Sequence, residues 1–321
     1  MKNLFMKCLA VPAAVAMLLV VLAAAVVNAQ EQPSFASAEE AVNALVAALE
    51  NNDVAALGTL LGPGSEGVLS SGDEVADANA RADFLARYQA KHALVAEDDG
   101  AMTLQVGDND WPLPIPVVLR EGKWYLDGAA GADEIVYRRV GRNELGAIAV
   151  SRGFVDAQIE YAAAGHDGNE PGVFAAKLMS DPEQQNGLYW PTAEGAPPSP
   201  AGETIARAAA EGYRAVTGKR RSYHGYYYRI LRTQGPAAPG GKASYMDDQG
   251  LMTRGFAVIA WPAKYGNSGV MTFLVNQQGI VFQKDLGAET DARARDIIRF
   301  EFDTSWEPTA DTVTDDEVAP E

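Results

Sequence analysis

The chain has 321 residues, 47% of them hydrophobic, and carries a formal charge of −17. That apolar content is ample for real cores, and ~100–200 residues per domain predicts two of them. The acidity sets the surface against phosphate backbones and anionic lipid headgroups, which excludes nucleic acid and membrane-surface partners and keeps a secreted protein dissolved.

The N-terminal residues set the compartment. Lys2 and Lys7 form a short positive segment, an apolar run extends from Leu9 to Val27, and Val27-Asn28-Ala29 puts small residues where a signal peptidase reads. A signal peptide over residues 1–29, cleaved after Ala29, makes the protein periplasmic or secreted. The alternative is an uncleaved anchor, because the run nears the ~20 residues of a spanning helix; the small-residue exit favours cleavage. Beyond it no hydrophobic stretch is long enough to span a membrane. Cys8 lies inside this segment after Lys7, outside any lipoprotein motif. The mature chain then has no thiol for a disulfide, a nucleophile or a zinc site. With only 3 histidines, a transition-metal site is not expected, nor any cofactor.

Residues 30–139 read as a first α+β domain. After a linker from Gln30 to Phe35, Ser37-Ala38-Glu39-Glu40 has the spacing of a capping box, with Ala41, Leu45, Ala48 and Leu49 on one helical face. Asn51-Asn52-Asp53 breaks that helix. Asp53 caps a second carrying Val54, Leu57, Leu60 and Leu61, which Gly62-Pro63-Gly64 stops. A third helical pattern runs from Val75 to His92 with Phe84, Leu85 and Tyr88. Strands are predicted at Met102–Val106, Ile115–Arg120 and Lys123–Asp127, the last two joined by a tight turn at Glu121-Gly122.

Residues 140–307 read as a second α+β domain. Its strongest signal is a helix from Glu144 to Ala163, where Leu145, Ile148, Val155 and Ile159 recur at three- and four-residue spacing around Arg152, and Gly165 ends it. A loop-rich stretch follows from His166 to Pro200, stiffest at Pro197-Pro198-Ser199-Pro200. Thr204 to Val216 reads as an Ala-rich helix. Strands are predicted at Tyr223–Leu231, Phe256–Trp261, Val270–Val275 and Ile280–Lys284. Asn276-Gln277-Gln278-Gly279 joins the last pair, with Gly279 suited to positive φ. Residues 308–321 form an acidic tail without aromatics, expected to be disordered. There is no internal repeat.

Two segments carry a resemblance. One is Arg142-Asn143-Glu144-Leu145-Gly146-Ala147-Ile148-Ala149, continuing through Phe154, Ala157, Gln158 and Tyr161. The other is the hairpin segment from Gly266-Asn267-Ser268-Gly269 through Phe273-Leu274-Val275 to Asp285-Leu286-Gly287. Through them the chain resembles an uncharacterised envelope family, domain of unknown function 2950, over most of the mature length; that family lends no activity. Helix followed by antiparallel sheet is also similar to the soluble half of a type IV pilin-like domain. That likeness implies Leu145, Ile148 and Val155 covering Phe256, Val258, Phe273 and Val275. It departs upstream, where Val136-Tyr137-Arg138-Arg139 stands in place of an apolar anchor and no prepilin-peptidase site exists, so no pilus is expected. The first domain, helices and then a meander ending in Gly122-Lys123-Trp124-Tyr125-Leu126-Asp127, resembles the nuclear-transport-factor-like cone, a curved sheet around a helix.

Four constellations bear on chemistry. On a strand, His224, Tyr226 and Tyr228 share one face and Tyr223, Tyr227 and Arg229 the other; with Trp190 and Trp261 these tyrosines form a candidate groove for sugar rings or peptide. The alternative is a half-buried strand whose hydroxyl tips stay wet. Ser268, with His224 and Asp247 or Asp248, has the residue types of a hydrolytic triad, but no spacing supports it and a turn feeding a strand is the bland reading. His166-Asp167-Gly168-Asn169-Glu170 offers oxygen ligands without the length of a calcium loop, and a solvated turn is the alternative. The alternating prolines of Trp111-Pro112-Leu113-Pro114-Ile115-Pro116 enforce an extended edge, with Trp111 over the core or docking a partner. Lys219-Arg220-Arg221 reads as a solvated basic loop. The favoured function is non-catalytic: binding or assembly support in the envelope, with a protein or glycan partner. The alternatives are a hydrolase of an envelope polymer, and a small-ligand carrier using the first domain.

Overall fold

The computed structural model describes residues 32–310 except 194, 205–207, 209–210 and 212–221. The signal peptide, most of the expected Thr204–Val216 helix, the Lys219-Arg220-Arg221 island and most of the acidic tail lie outside the described residues.

The N-terminal half starts as its local chemistry dictates. Helix α1 (Ala38–Glu50) is capped by Ser37, whose hydroxyl accepts from the Glu40 N–H, while Glu40 reaches back to the Ala36 N–H. Asp53 caps α2 (Val54–Leu61), and Gly62 stops it at φ 75. A short α3 (Glu66–Leu69) and α4 (Glu74–Ala90) follow. Strands β1 (His92–Ala96), β2 (Met102–Val106), β3 (Trp111–Pro112), β4 (Val117–Arg120) and β5 (Lys123–Leu126) form an antiparallel sheet ordered β1-β2-β4-β5, with β3 also on β2. Leu45 of α1 and Leu57 of α2 pack into one core with Leu104, Val106, Val117 and Leu126 of the sheet. The β4–β5 turn has positive φ at Glu121 (50) and Gly122 (77), the twist a two-residue hairpin needs.

One strand there has no counterpart among the expected elements. The helical pattern continues in sequence to His92, but α4 ends at Ala90 and His92 pairs with Val106 as the first residue of β1. Both faces of β1 are largely exposed, so it has no apolar alternation to announce it. Helix α4 is likewise without a fully buried residue.

Helix α5 spans Gly128–Ala164, 37 residues and about 55 Å, starting well before the expected Glu144. Asp127 caps it, accepting from the Ala130 N–H. The early turns were hidden because Gly128 and Gly131 depress helix propensity. Their role is close approach: a Cβ at Gly128 would lie 2.6 Å from Leu61 O, and one at Gly131 would overlap Pro114 O. The helix runs unbroken through the boundary expected at 139/140, its first half against the N-terminal core and its second half in the C-terminal one.

The C-terminal core is built on β6 (Tyr226–Leu231), β9 (Ala257–Pro262), β10 (Met271–Asn276), β11 (Phe282–Asp285) and β12 (Glu307–Pro308), antiparallel in the order β12-β11-β10-β9-β6. Strands β7 (Thr233–Gln234) and β8 (Ala243–Ser244) form a separate ribbon. The β10–β11 link has Gly279 at φ 76, its N–H on Asn276 O. Register Tyr228↔Ala260↔Phe273 and Ile230↔Val258↔Val275 defines one face, which α5 covers. The opposite face carries Tyr227, Arg229, Ile259, Trp261 and Leu274, covered by α6 (Thr290–Asp296). Trp261 Nε1 donates to Asp291, and the Arg229 guanidinium donates to the carbonyls of Ala294, Arg295 and Ile297.

The docking stripe of α5 differs from the expected one. Ile148 and Val155 are buried, but Leu145 is 38% and Ile159 54% exposed. The buried line runs through Asn143, Ala147, Ser151, Phe154, Gln158 and Tyr161. Small residues let the helix approach the sheet, and each buried polar group is satisfied. Asn143 donates to Ser268 O, Ser151 to Ala147 O, and Gln158 both donates to Ala175 O and accepts from its N–H. In total the chain is a mixed α+β protein with antiparallel sheets and one long helix.

Candidate functional site

The six aromatic and histidine positions singled out in sequence are not brought together. Tyr226 is fully buried under α5, its hydroxyl donating to Met271 O at 3.0 Å; burial, then the nearby Glu144 carboxylate, pushes its pKa up. Tyr228 shares that face, half-buried. Trp261 is 2% exposed on the opposite face, beside Tyr227 and the Arg229 guanidinium. Tyr223 and His224 precede the strand, in a turn where Tyr223 and Tyr226 exchange backbone hydrogen bonds and His224 sits at φ 49. The strand expected from Tyr223 therefore begins at Tyr226. His224 does not alternate with Tyr226 and Tyr228; its Nε2 donates to Glu211 at 2.6 Å. Trp190 lies elsewhere, at the end of α5.

The seryl turn is structural. Ser268 is fully buried, and its Oγ accepts from Lys264 N–H (2.9 Å) and donates to Lys264 O (3.2 Å). Gly225 packs against it: a Cβ there would lie 3.0 Å from the Ser268 Cβ. Asp247 is held in its own turn by the N–H groups of Leu251 and Gln249, which lower its pKa. The neighbouring polar seam ties the two halves. Arg139 donates to Gly67 O, Val68 O and Asn267 Oδ1, and Asp73 Oδ2 accepts from Gly225 N–H. Burial lowers the Arg139 pKa, yet the group stays charged at any working pH.

The remaining constellation gathers around the C-terminus of α5. Gly165 ends the helix at φ 69, where a Cβ would come within 2.7 Å of Asn169 O. The turn after it places His166 between two aromatic rings, centroids 4.4 Å from Tyr161 and 4.9 Å from Trp190. His166 Nδ1 donates to Gln185 Oε1 at 3.1 Å, and its Nε2 is buried without a hydrogen-bond partner among the described residues. The Tyr161 hydroxyl donates to Gln185 O at 2.6 Å; burial, then Asp167, pushes its pKa up to about 12. Asp167 caps Gln185 N–H rather than facing a cation. Among the described residues no group of three or more His, Cys, Asp or Glu is arranged to hold a metal ion.

Trp190 is half-buried and borders an open groove of about 480 Å³. One wall is the loop Pro191, Thr192, Ala193, Ala196, Pro197 and Pro198; Glu160, His166 and Gln185 lie across from it. The loop is pinned by its own backbone. Leu188 and Tyr189 donate to Lys177 O and Leu178 O, and Ala201 donates to Leu188 O. At Gly187 a Cβ would meet the Met179 carbonyl carbon at 2.6 Å, so only glycine fits that crossing. Of the six sequence candidates only Trp190 belongs here. Its neighbours carry no site signal in sequence: His166 reads as a solvated turn, and Tyr161 only as part of the helix segment that bears the family resemblance. The stiff Pro197-Pro198-Ser199-Pro200 run was the one signal of a built wall.

A family profile described as protein of unknown function (DUF2950) matches residues 32–309, and the chain belongs to that family. No curated protein and no solved structure matches the chain.

Proposed function

For a member of a family without an assigned activity, function has to be argued from geometry, and we propose a non-catalytic binding or assembly-support protein of the cell envelope. The observation that carries this is the half-buried Trp190 on a proline-walled groove, an aromatic anchor beside polar edges held in place by the fold. The leader over residues 1–29 supports secretion to the periplasm or beyond. The long helix laid on an antiparallel sheet supports a pilin-like ancestry for the second half, and α1 and α2 over the first sheet support a nuclear-transport-factor-like one for the first. No helix among the described residues is long and apolar enough to cross a membrane.

Co-sedimentation of the full mature chain with purified envelope fragments tests the reading. Retention that falls at least about tenfold in Trp190→Ala, with the melting temperature kept, is the expected result. Retention indifferent to Trp190, or none, removes it. Mass spectrometry of the secreted protein tests the leader; a mature chain not beginning at Gln30 refutes that cleavage site.

A further inference from the structure

Resting on that binding reading, we infer that the groove takes an uncharged or amino-bearing oligosaccharide. Two properties of its lining select this chemistry.

The first is hydrogen-bond polarity. Proline has no N–H, so Pro191, Pro197, Pro198 and Pro200 contribute no backbone donors to the lining. Glu160 adds a carboxylate, an acceptor only. Gln185, also on the lining, has its Oε1 committed to His166, so its remaining side-chain capacity is the donor N–H₂. With the Thr192 hydroxyl and the Gln185 amide as its side-chain donors, the described lining is weighted toward acceptors, which favours an occupant rich in donors. A proline-rich peptide brings almost none. A sugar brings a hydroxyl on nearly every ring carbon, with apolar C–H faces between them that lie flat on an indole such as Trp190.

The second is charge. Among the described lining residues Glu160 is the one acid, and there is no Lys or Arg. The whole chain carries a formal −17. Uronic acids, sialic acids and phosphorylated glycans are thus repelled, while neutral and amino sugars are not. The polar groups sit on fixed supports: Glu160 on α5, and Gln185 through its backbone carbonyl to Tyr161 and its N–H to Asp167. Such a site holds a ligand without reorganising.

The test is calorimetric titration of the full mature chain with four probes: N-acetylglucosamine tetramer, glucosamine tetramer, galacturonate tetramer, and a proline decapeptide. Binding of either amino-sugar probe, at least tenfold tighter than the galacturonate, is expected. It should weaken at least tenfold in Trp190→Ala and less in Trp190→Phe. Glu160→Gln should weaken the cationic tetramer more than the N-acetylated one; Glu160 is exposed, so this variant tests the groove even where Trp190→Ala fails to fold. Equal binding of the galacturonate overturns the charge argument and the proposal with it. Trp190-dependent binding of the decapeptide alone overturns the saccharide assignment but leaves the binding reading standing. If no probe binds and envelope retention ignores Trp190, both fall.

Discussion

The two antiparallel sheets differ in how many faces they hide. Every residue of β9 is buried, because α5 covers one face of its sheet and α6 with the chain beyond it covers the other. In the first sheet β1 is exposed at four of five positions, and the burial that exists comes from α1, α2 and the Phe84, Leu85 and Tyr88 side chains of α4. A sheet with two covered faces is held by packing everywhere and punishes any change of volume. A sheet with one covered face concentrates its stability in a few inward residues and tolerates change at its edge.

The comparison breaks most sharply at Ile259, fully buried at the centre of β9. Ile259→Ala should cost about 3–4 kcal/mol of stability by leaving an unfilled cavity. Chemical denaturation of the full chain measures it, and a loss below about 1 kcal/mol would show that the second face is not packed. Next comes Gln158→Leu. It removes both partners of the Ala175 amide in a fully buried site, with an expected cost of about 2–3 kcal/mol. Arg229→Met keeps much of the length and the stack on Trp261 but loses the donors that fix the carbonyls of Ala294, Arg295 and Ile297. About 1–2 kcal/mol is expected, with faster amide exchange confined to α6 and the chain after it. Uniform acceleration across both sheets would contradict α6 as a separable cover.

Alkaline pH separates the same two regions. Burial raises the pKa of Tyr161 and Tyr245 to about 12, and of Tyr226 further, and all three belong to the C-terminal core. Above pH ~10 the unfolded chain has released these protons while the folded one retains them. The folded state then binds more protons, so stability falls as pH rises. The contribution is complete below pH ~10 and is lost toward about 12 for Tyr161 and Tyr245. Melting temperatures from pH 8 to 11.5 should fall above pH ~10, less steeply in Tyr245→Phe. An unchanged profile in that variant would remove Tyr245 from the account.

What the sequence made legible follows the same division. Ser37, Asp53, Gly62 and Gly279 announce local events, caps and turns whose chemistry is complete within a few residues, and the structure has each in that role. The docking face of α5 was misread because hydrophobicity marks Leu145 and Ile159, whereas closeness to the sheet selects Asn143, Ala147, Ser151 and Gln158. A buried polar residue is recognisable only through its partner, and Ser268 and Ala175 lie far from any helical period. The supposed aromatic face failed for a related reason. Period-two alternation puts Tyr226 and Trp261 on definite faces, but only tertiary structure reveals that both faces are covered. The groove was least legible, since it is assembled from loop backbone, a helix end and prolines whose individual residues signal only turns.

The smallest effect is the most diagnostic of the first sheet. Val95 on β1 is 37% exposed, and its cross-strand partner is Thr103. Val95→Thr keeps the branched β-carbon that a strand favours and trades a partly wet methyl for a hydroxyl. The same exchange inside β9, at Val258 with 1% exposure, buries a hydroxyl in an apolar layer and should cost about 1–3 kcal/mol. At Val95 the hydroxyl faces water, and Thr103 across the strand supplies a hydrogen-bonding neighbour. A change within about 0.5 kcal/mol is expected. If Val95→Thr instead costs as much as Val258→Thr, something covers β1 in solution, and the one-faced account of the first sheet fails.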